Sequence, residues 1–162
     1  MDARELRRAF GQFATGVTLI VGTSGSGERA ALTATSFNTV SLDPPLVIFS
    51  VKKSTHPGRV FSESDSFLIN VLGDTHQSLS DLFGRPAPIS QREAMLDAMT
   101  RNGSIGVADA LAVLRCERFL VQDIGEHFLF VARVVDVQTR EGCQPLLFFS
   151  SMYHGIRSIN EQ

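Results

Sequence analysis

The most informative segment for the fold of this chain is Thr33-Ala-Thr-Ser-Phe-Asn-Thr-Val-Ser-Leu-Asp-Pro-Pro-Leu-Val-Ile-Phe-Ser-Val-Lys-Lys-Ser-Thr55. It begins with small hydroxyl residues and is interrupted at Asp43-Pro44-Pro45. An apolar run, Leu46 to Val51, follows, and we expect it to form a central strand buried on both faces. The run ends in two lysines and two hydroxyl residues, Lys52 to Thr55. Hydroxyl and cationic donors therefore flank one strand, which suits a phosphorylated, ring-bearing ligand.

The composition predicts one domain, residues 1–162, with its own core. The chain has 162 residues, of which 43% are hydrophobic, and a formal net charge of -2. A charge this small argues against nucleic acid or an anionic membrane as the main partner, because both require a clustered positive field. No apolar run is long enough to span a membrane, and no signal peptide is evident. Cys116 and Cys143 lack metal-type spacing, so we expect a cytoplasmic protein with free thiols and no metal.

The rest of the pattern predicts many strands joined by short turns. The expected strands are 16–23, one or two within 29–42, 67–72, 108–121, 127–139 and 146–150, with helices starting at Asp2 and at 59–64, 77–83 and 91–100. The two long strands would form a hairpin around the polar tip 123–126. We therefore expect a mainly β fold, a closed antiparallel barrel with a few peripheral helices. Strand alternation by itself also allows a sandwich.

The glycine-rich piece Gly22 to Glu28 resembles a phosphate loop only superficially. It joins two strand-like runs and lacks the Lys-Ser/Thr ending of a Walker A motif. No GxGxxG motif is present in the sequence. We therefore interpret this piece as a hairpin turn.

In several segments the chain resembles the short flavin reductases of two-component monooxygenase systems. The matching segments, in order, are Phe13-Ala-Thr-Gly-Val-Thr18, Thr35-Ser-Phe-Asn-Thr-Val-Ser-Leu-Asp-Pro-Pro-Leu-Val47, Phe67-Leu-Ile-Asn-Val-Leu72, Gly125-Glu-His127 and Pro145-Leu-Leu-Phe-Phe149. The central Ser-Leu-Asp-Pro-Pro-Leu-Val block is the specific signal. The resemblance implies an FMN-binding split β-barrel, antiparallel and of Greek-key type, with a few peripheral helices.

The resemblance also implies the site residues. Those that would line the flavin ring are Thr33, Ala34, Thr35, Ser36, Ser41 and Leu42. Ser50, Val51 and Lys52 would follow the ring or the ribityl chain, and Ser54 and Thr55 would bind the phosphate. Phe83 would lie beside the site. His127 occupies the position of the family's Gly-Asp-His histidine, which is associated with nicotinamide binding, although this chain has Glu126 where Asp is usual.

The residues by themselves leave simpler interpretations open. Ser54 and Thr55 could cap a helix that begins after the strand, since such a helix start is also an anion site. The hydroxyls of Thr33, Thr35 and Ser36 could be satisfied locally on an edge strand. Arg59 could add a second charge or be plain surface, and Tyr153 could cover the site or simply pack.

The activity implied by the resemblance is that of an NAD(P)H:flavin oxidoreductase. The cofactor would be FMN, with FAD possible, and NADH or NADPH would donate the hydride. The expected partner is a flavin-dependent monooxygenase, and a homodimer is implied. Two alternatives belong to other classes: a non-enzymatic FMN-binding electron-transfer flavoprotein, and a flavin-free split-barrel module for haem or another cofactor.

Overall fold

The computed structural model describes residues 2–101 and 104–157 of the chain. The α-helices are α1 Ala3–Phe10, α2 His56–Ser62, α3 Gln77–Gly84 and α4 Ile89–Ala98, with a 3-10 turn at Asp74–His76. The strands are β1 Thr15–Gly16, β2 Thr18–Ser24, β3 Arg29–Ala34, β4 Asn38–Leu42, β5 Pro45–Lys52, β6 Ser64–Val71, β7 Thr100–Arg101, β8 Ser104–Ile105, β9 Ala112–Ile124, β10 His127–Thr139, β11 Leu147–Phe149 and β12 Met152–His154. The mainly β prediction with a few helices is confirmed.

Seven strands form the main sheet, in the order β3-β2-β6-β9-β10-β5-β4. Every pairing in it is antiparallel, as predicted. A second sheet has the order β1-β11-β12, and β7 pairs with β8. The β9–β10 hairpin is the longest pairing, and β10 also runs beside β5 with His127 opposite Lys52. This register places the hairpin tip next to the end of β5.

An aromatic cluster fills the concave side of the main sheet. Phe49 of β5 stacks on Phe130 of β10, with ring centroids 5.0 Å apart and planes 9° apart. Phe67 of β6 meets both rings edge-on, and Phe61 of α2 closes the cluster from the other side. All four side chains are buried. Because strands from both halves of the sheet contribute to one cluster, the sheet wraps around it.

A second core lies on the opposite face of β2. Leu19 and Val21 point into it, whereas Ile20 points into the aromatic cluster. Helices α3 and α4 contribute Phe83 and Leu96 to this second core. Strand β2 is therefore buried on both faces because helices cover its outer side.

Three predictions about the elements need correction. Strand β5 is fully buried on one face only: Val47, Phe49 and Val51 are buried, whereas the alternate residues are half-exposed or exposed. The helices cover the β2–β3 side of the sheet and leave β5 half open. Strand β9 begins at Ala112, later than expected, and continues to Ile124 because β10 pairs with it along its length. Strand β12 was not predicted.

A side-chain cap marks the start of α1. Asp2 accepts a hydrogen bond at 3.0 Å from the backbone N–H of Arg4, so α1 begins where the sequence predicts. No helix within residues 2–101 and 104–157 is long and apolar enough to cross a membrane.

Candidate functional site

The segment after β3 is hydrogen-bonded to β5 by one side chain, that of Ser36. Ser36 Oγ accepts a hydrogen bond from Ser50 N at 3.0 Å and donates one to Ser50 O at 3.3 Å. The hydroxyl of Ser36 thus completes a bridge to the strand backbone. This bridge joins the two hydroxyl-rich parts of the sequence, Thr33 to Ser36 and Ser50 to Thr55, into one region.

A cavity of about 240 Å³ opens beside the end of β3. Its lining comes from β3 and the residue after it, α3, the loop that follows α3 and the C-terminal hairpin: Val17, Thr33, Thr35, Ser80, Gly84, Arg85, Phe148 and Tyr153. Thr33 and Thr35 are the two predicted site residues in this set. Thr33 Oγ1 donates to Ser80 O at 2.7 Å, which fixes its rotamer and ties β3 to α3. Most small-molecule pockets have volumes of about 300–1,000 Å³, so this cavity suits one end of a larger ligand.

Tyr153 forms one wall of the cavity. Its phenol donates to Asp81 Oδ1 at 3.1 Å and accepts from Ser80 Oγ at 2.8 Å, and its ring meets Phe148 edge-on at 5.4 Å. Burial raises the pKa of Tyr153, and the Asp81 carboxylate adds to the rise, so the phenol is neutral at pH 7. Arg85 pairs with Asp81 at 2.9 Å and places a cation at the rim. The sequence left Tyr153 open between packing and covering the site, since its partners lie more than 70 residues away.

The turn between β5 and α2 is held by Thr55. Thr55 Oγ1 accepts from Gly58 N at 3.1 Å and donates to Lys52 O at 2.7 Å. Thr55 is therefore the N-cap of α2, as the simpler interpretation proposed, and its hydroxyl proton is already used. Ser54 is exposed beside it. Of the two predicted phosphate residues, Ser54 is the more exposed.

The β9–β10 hairpin tip contacts the end of β5 through charges and backbone. Lys52 Nζ lies 3.0 Å from Glu126 Oε2, and Lys53 N donates to Glu126 O at 3.0 Å. Lys53 also forms an ion pair with Asp123. The ammonium of Lys52 lowers the pKa of Glu126, which is therefore anionic at neutral pH. The half-buried His127 follows Glu126 directly and lies opposite Lys52 in the sheet.

Arg59 is neutralised by a residue on the β2–β3 turn. Its guanidinium donates two hydrogen bonds to Glu28, at 2.7 and 2.6 Å, and His56 Nε2 donates a third at 2.9 Å. The hydrogen bonds from Arg59 and His56 lower the pKa of Glu28 to about 2. The guanidinium is thus held in an ion pair with Glu28, a role that neither of the two possibilities for Arg59 included.

Four predicted residues do not present their side chains to this region. Ala34 and Val51 are buried in the aromatic core, and Phe83 is buried in the second core. Leu42 is 94% exposed at the sheet edge. Any ligand contact from the three buried residues would therefore come from backbone groups. The hydroxyl of Ser41, on the same edge strand as Leu42, is half-buried.

The chemistry offered by the region is binding and orientation. It combines a small cavity with a phenol and hydroxyl lining, an exposed hydroxyl beside lysines, and a histidine on the adjoining hairpin. Among residues 2–101 and 104–157, no group of three His, Cys, Asp or Glu side chains could hold a metal ion.

Comparisons with known proteins point to one family. The sequence model described as "Flavin reductase like domain" matches residues 10–157. The NADH-dependent flavin reductase StyB of Pseudomonas fluorescens is 32% identical over 163 residues, covering 96% of this chain and 91% of StyB. The reductase subunit HsaB of a flavin-dependent monooxygenase of Rhodococcus jostii is 34% identical, covering 96% of this chain and 79% of HsaB. Two relatives from Rhizobium meliloti are longer, and this chain spans 42% and 57% of their lengths, about half.

The fold of this chain is also similar to those of solved flavin reductase structures. The styrene monooxygenase flavin reductase of Pseudomonas putida S12 has a TM-score of 0.78 at 30% identity, over 94% of this chain and 98% of that one. The NADH:FAD oxidoreductase SgcE6 of Streptomyces globisporus, solved with NAD and FAD fragments, has a TM-score of 0.84 at 27% identity. That match covers 99% of this chain and 96% of SgcE6.

Proposed function

Because the chain belongs to the flavin reductase-like domain family, we propose that it is an NAD(P)H:flavin oxidoreductase that transfers a hydride from a nicotinamide to FMN. The reduced flavin would be supplied to a partner monooxygenase. The observation that carries the proposal is the family match over residues 10–157, joined to a cavity lined by Thr33 and Thr35. The Ser36–Ser50 bridge connects that cavity to the Lys52–Thr55 turn.

The residues of this region fit a flavin nucleotide in their chemistry. A flavin needs a cleft for a planar ring, polar groups along the ring edge, and donors for a phosphate. The cavity supplies the first two through Gly84, Thr33 and Thr35. The exposed Ser54 hydroxyl and the Lys52 ammonium are suited to the phosphate, since charge-assisted hydrogen bonds are the strong ones. When bound, FMN supplies the redox chemistry, and the protein supplies binding and orientation.

Several of the predicted residues take a role on this basis. Ser54 and Lys52 would hold the phosphate directly, while Thr55 would shape the turn that presents them. Thr33, Thr35 and the backbone from Ala34 to Ser36 would hold the ring edge. Val17 and Phe148 would exclude water from one side of the cavity. His127, at the start of β10, would orient the nicotinamide and need not move a proton.

The nicotinamide to test first is NADH. StyB is named as NADH-dependent and SgcE6 as an NADH:FAD oxidoreductase. The SgcE6 name also supports FAD as an alternative flavin. We assign FMN as the preferred flavin because the donors of the β5–α2 turn suit one terminal phosphate.

The proposal includes a homodimer. Strand β4 is an edge strand of the main sheet in the part of the chain that the structure describes. Two of its apolar side chains are exposed, Val40 by 53% and Leu42 by 94%. Exposed apolar residues on a sheet edge favour burial against another chain. A second copy covering this edge would bury Leu42, which the family resemblance places beside the flavin.

Location and domain organisation follow the same proposal. We assign the protein to the cytoplasm, because Cys116 and Cys143 are free thiols in the structure. We treat residues 1–162 as one flavin reductase-like domain, with the family match over 10–157 as support. The partner would be a flavin-dependent monooxygenase, as for HsaB, which is named as the reductase subunit of one.

A steady-state assay tests the activity. The purified protein is mixed with FMN and NADH, and the loss of nicotinamide absorbance is followed, then repeated with FAD, riboflavin and NADPH. We expect NADH oxidation that depends on both protein and flavin. No oxidation of either nicotinamide with any flavin would eliminate the reductase and favour the non-enzymatic flavoprotein. That alternative has no support from StyB or HsaB. StyB is named as a flavin reductase and HsaB as the reductase subunit of a flavin-dependent monooxygenase.

A further inference from the structure

The ion pair between Lys52 and Glu126 is exposed to solvent. The two side chains are 49% and 68% exposed, and their charged atoms are 3.0 Å apart. Exposed ion pairs contribute little to stability, so a competing anion can replace one partner at little cost. A phosphate arriving at Ser54, two residues from Lys52, could therefore take Glu126's place on the ammonium.

The neighbouring cations are less available. Lys53 pairs with Asp123 and lies 5.8 Å from the centre of the Phe128 ring. Arg59 is held by two hydrogen bonds to Glu28. Of the two lysines beside Ser54, Lys52 is the more exposed, at 49% against 29% for Lys53, and its partner Glu126 is more exposed than Glu28, the partner of Arg59. Its availability to a ligand depends on Glu126.

The hairpin tip is anchored independently of the Glu126 carboxylate. The backbone carbonyl of Glu126 accepts from Lys53 N at 3.0 Å, and His127 pairs with Lys52 in the sheet register. The Lys53–Asp123 ion pair is a further tie between the tip and β5. Removing the Glu126 charge therefore leaves the tip in place, and the effect of the charge can be isolated.

From this arrangement we propose that Glu126 determines phosphate affinity: its carboxylate competes with the flavin phosphate for the Lys52 ammonium. The inference rests on the proposed function. Each binding event must exchange one anion for another on Lys52, so the net gain from the phosphate is smaller than with a free lysine. A reductase that hands its product to another protein needs such weakened retention.

The test compares FMN with riboflavin, which lacks the phosphate. Dissociation constants are measured by fluorescence titration for the wild type, Glu126→Gln, Lys52→Gln and the double variant. Glu141→Gln is the matched control, because Glu141 is an exposed glutamate outside the site. We expect Glu126→Gln to bind FMN about two- to fivefold more tightly, the range typical of exposed ion pairs. Riboflavin affinity and the Glu141→Gln values should equal those of the wild type.

Two further measurements test whether the effect depends on the Lys52 charge. In the Lys52→Gln background the Glu126→Gln change should leave the dissociation constant for FMN unchanged. The ammonium for which Glu126 and the phosphate compete is absent there. The gain in Glu126→Gln should shrink as salt rises from 50 mM to 500 mM, because salt screens exposed charges.

The outcomes separate the two proposals. If the wild type binds both flavins but Glu126→Gln leaves FMN affinity unchanged, or changes both flavins equally, the competition is wrong and the flavin site stands. A gain that persists in the Lys52→Gln background also overturns it. If the wild type binds neither flavin, the proposed function fails and this inference fails with it.

Discussion

Gly58 in the first turn of α2 lies directly against the carbonyl of Lys52 at the end of β5. A Cβ atom at Gly58 would be 2.2 Å from Lys52 O and 2.9 Å from Lys53 O. Both neighbours are backbone atoms, which cannot rotate away. The turn that carries Lys52, Ser54 and Thr55 therefore depends on a residue without a side chain.

Gly58→Ala should destabilise the protein. Overpacking against fixed backbone costs about 1–3 kcal/mol, and here the helix must shift away from β5. Chemical denaturation should show this loss in the free energy of unfolding, and FMN affinity should fall as well. Gly25→Ala is the control, because a Cβ there meets no atom within 4 Å. Equal stability of the two variants would contradict the close contact.

We expect Ser54 to contribute to FMN binding and Thr55 to contribute to the stability of the fold. Ser54→Ala should weaken FMN binding by about 1.5–3 kcal/mol, the contribution of a hydrogen bond to a charged group, and leave riboflavin binding unchanged. Thr55→Ala should lower the free energy of unfolding by about 1 kcal/mol because α2 loses its cap. Thr55→Ser keeps the hydroxyl and should restore stability. Unchanged FMN affinity in Ser54→Ala would mean that the phosphate site is misplaced.

Gly84→Ala should reduce the affinity for both flavins alike. The added methyl group would lie 3.3 Å from Thr33 Cβ on the cavity wall, where the ring end of the ligand is proposed. We expect a loss on the order of 1 kcal/mol for FMN and for riboflavin. A loss confined to FMN would place the ring elsewhere.

His127→Ala should affect the nicotinamide and not the flavin. If His127 orients the nicotinamide through one hydrogen bond, its loss should raise the KM for NADH by roughly 2- to 10-fold, equivalent to about 0.5–1.5 kcal/mol. The Kd for FMN, measured by titration without NADH, should be unchanged. A variant with wild-type kinetics would remove His127 from the site.

Glu28 should make the stability of the protein sensitive to acid. Its pKa is lowered from 4.5 to about 2 by Arg59 and His56, so the folded state binds the proton less readily than the unfolded state. The stabilisation is fully present above pH 4.5 and is lost as the pH falls from about 4.5 to 2. Urea denaturation at pH 6, 4.5 and 3 should show a steeper loss for the wild type than for Glu28→Gln. Parallel curves for the two proteins would contradict the ion-pair network.

The strands could be predicted well because their signals are local. Alternation and turn residues placed β2, β6 and β10 close to their observed bounds, and Asp2 marked the start of α1. The prediction that β5 is buried on both faces was wrong for one of them. An apolar run indicates burial but does not say which neighbouring elements provide it, and here the helices lie over β2 and β3.

The candidate site was predicted in part. The hydroxyl and lysine segments were found from the sequence because they are continuous stretches with a family resemblance. Tyr153 and Arg85 were not placed in the cavity, since the hydrogen bonds from Ser80 and to Asp81 that anchor Tyr153 cross more than 70 residues. The Glu28–Arg59 pair was missed because the two residues are 31 positions apart in different segments.

The amino-acid sequence alone determined most of the strand and helix segments, the hydroxyl and cationic residues on either side of β5, and the family. Those features depend on residue type and on spacing along the chain. Only the tertiary structure decided which of these side chains are free: Thr55 uses its hydroxyl as a helix cap, Arg59 is held by Glu28, and Lys52 is shared with Glu126. A donor is available to a ligand only if no acceptor from a distant part of the chain has already reached it, and that depends on how the chain folds back on itself.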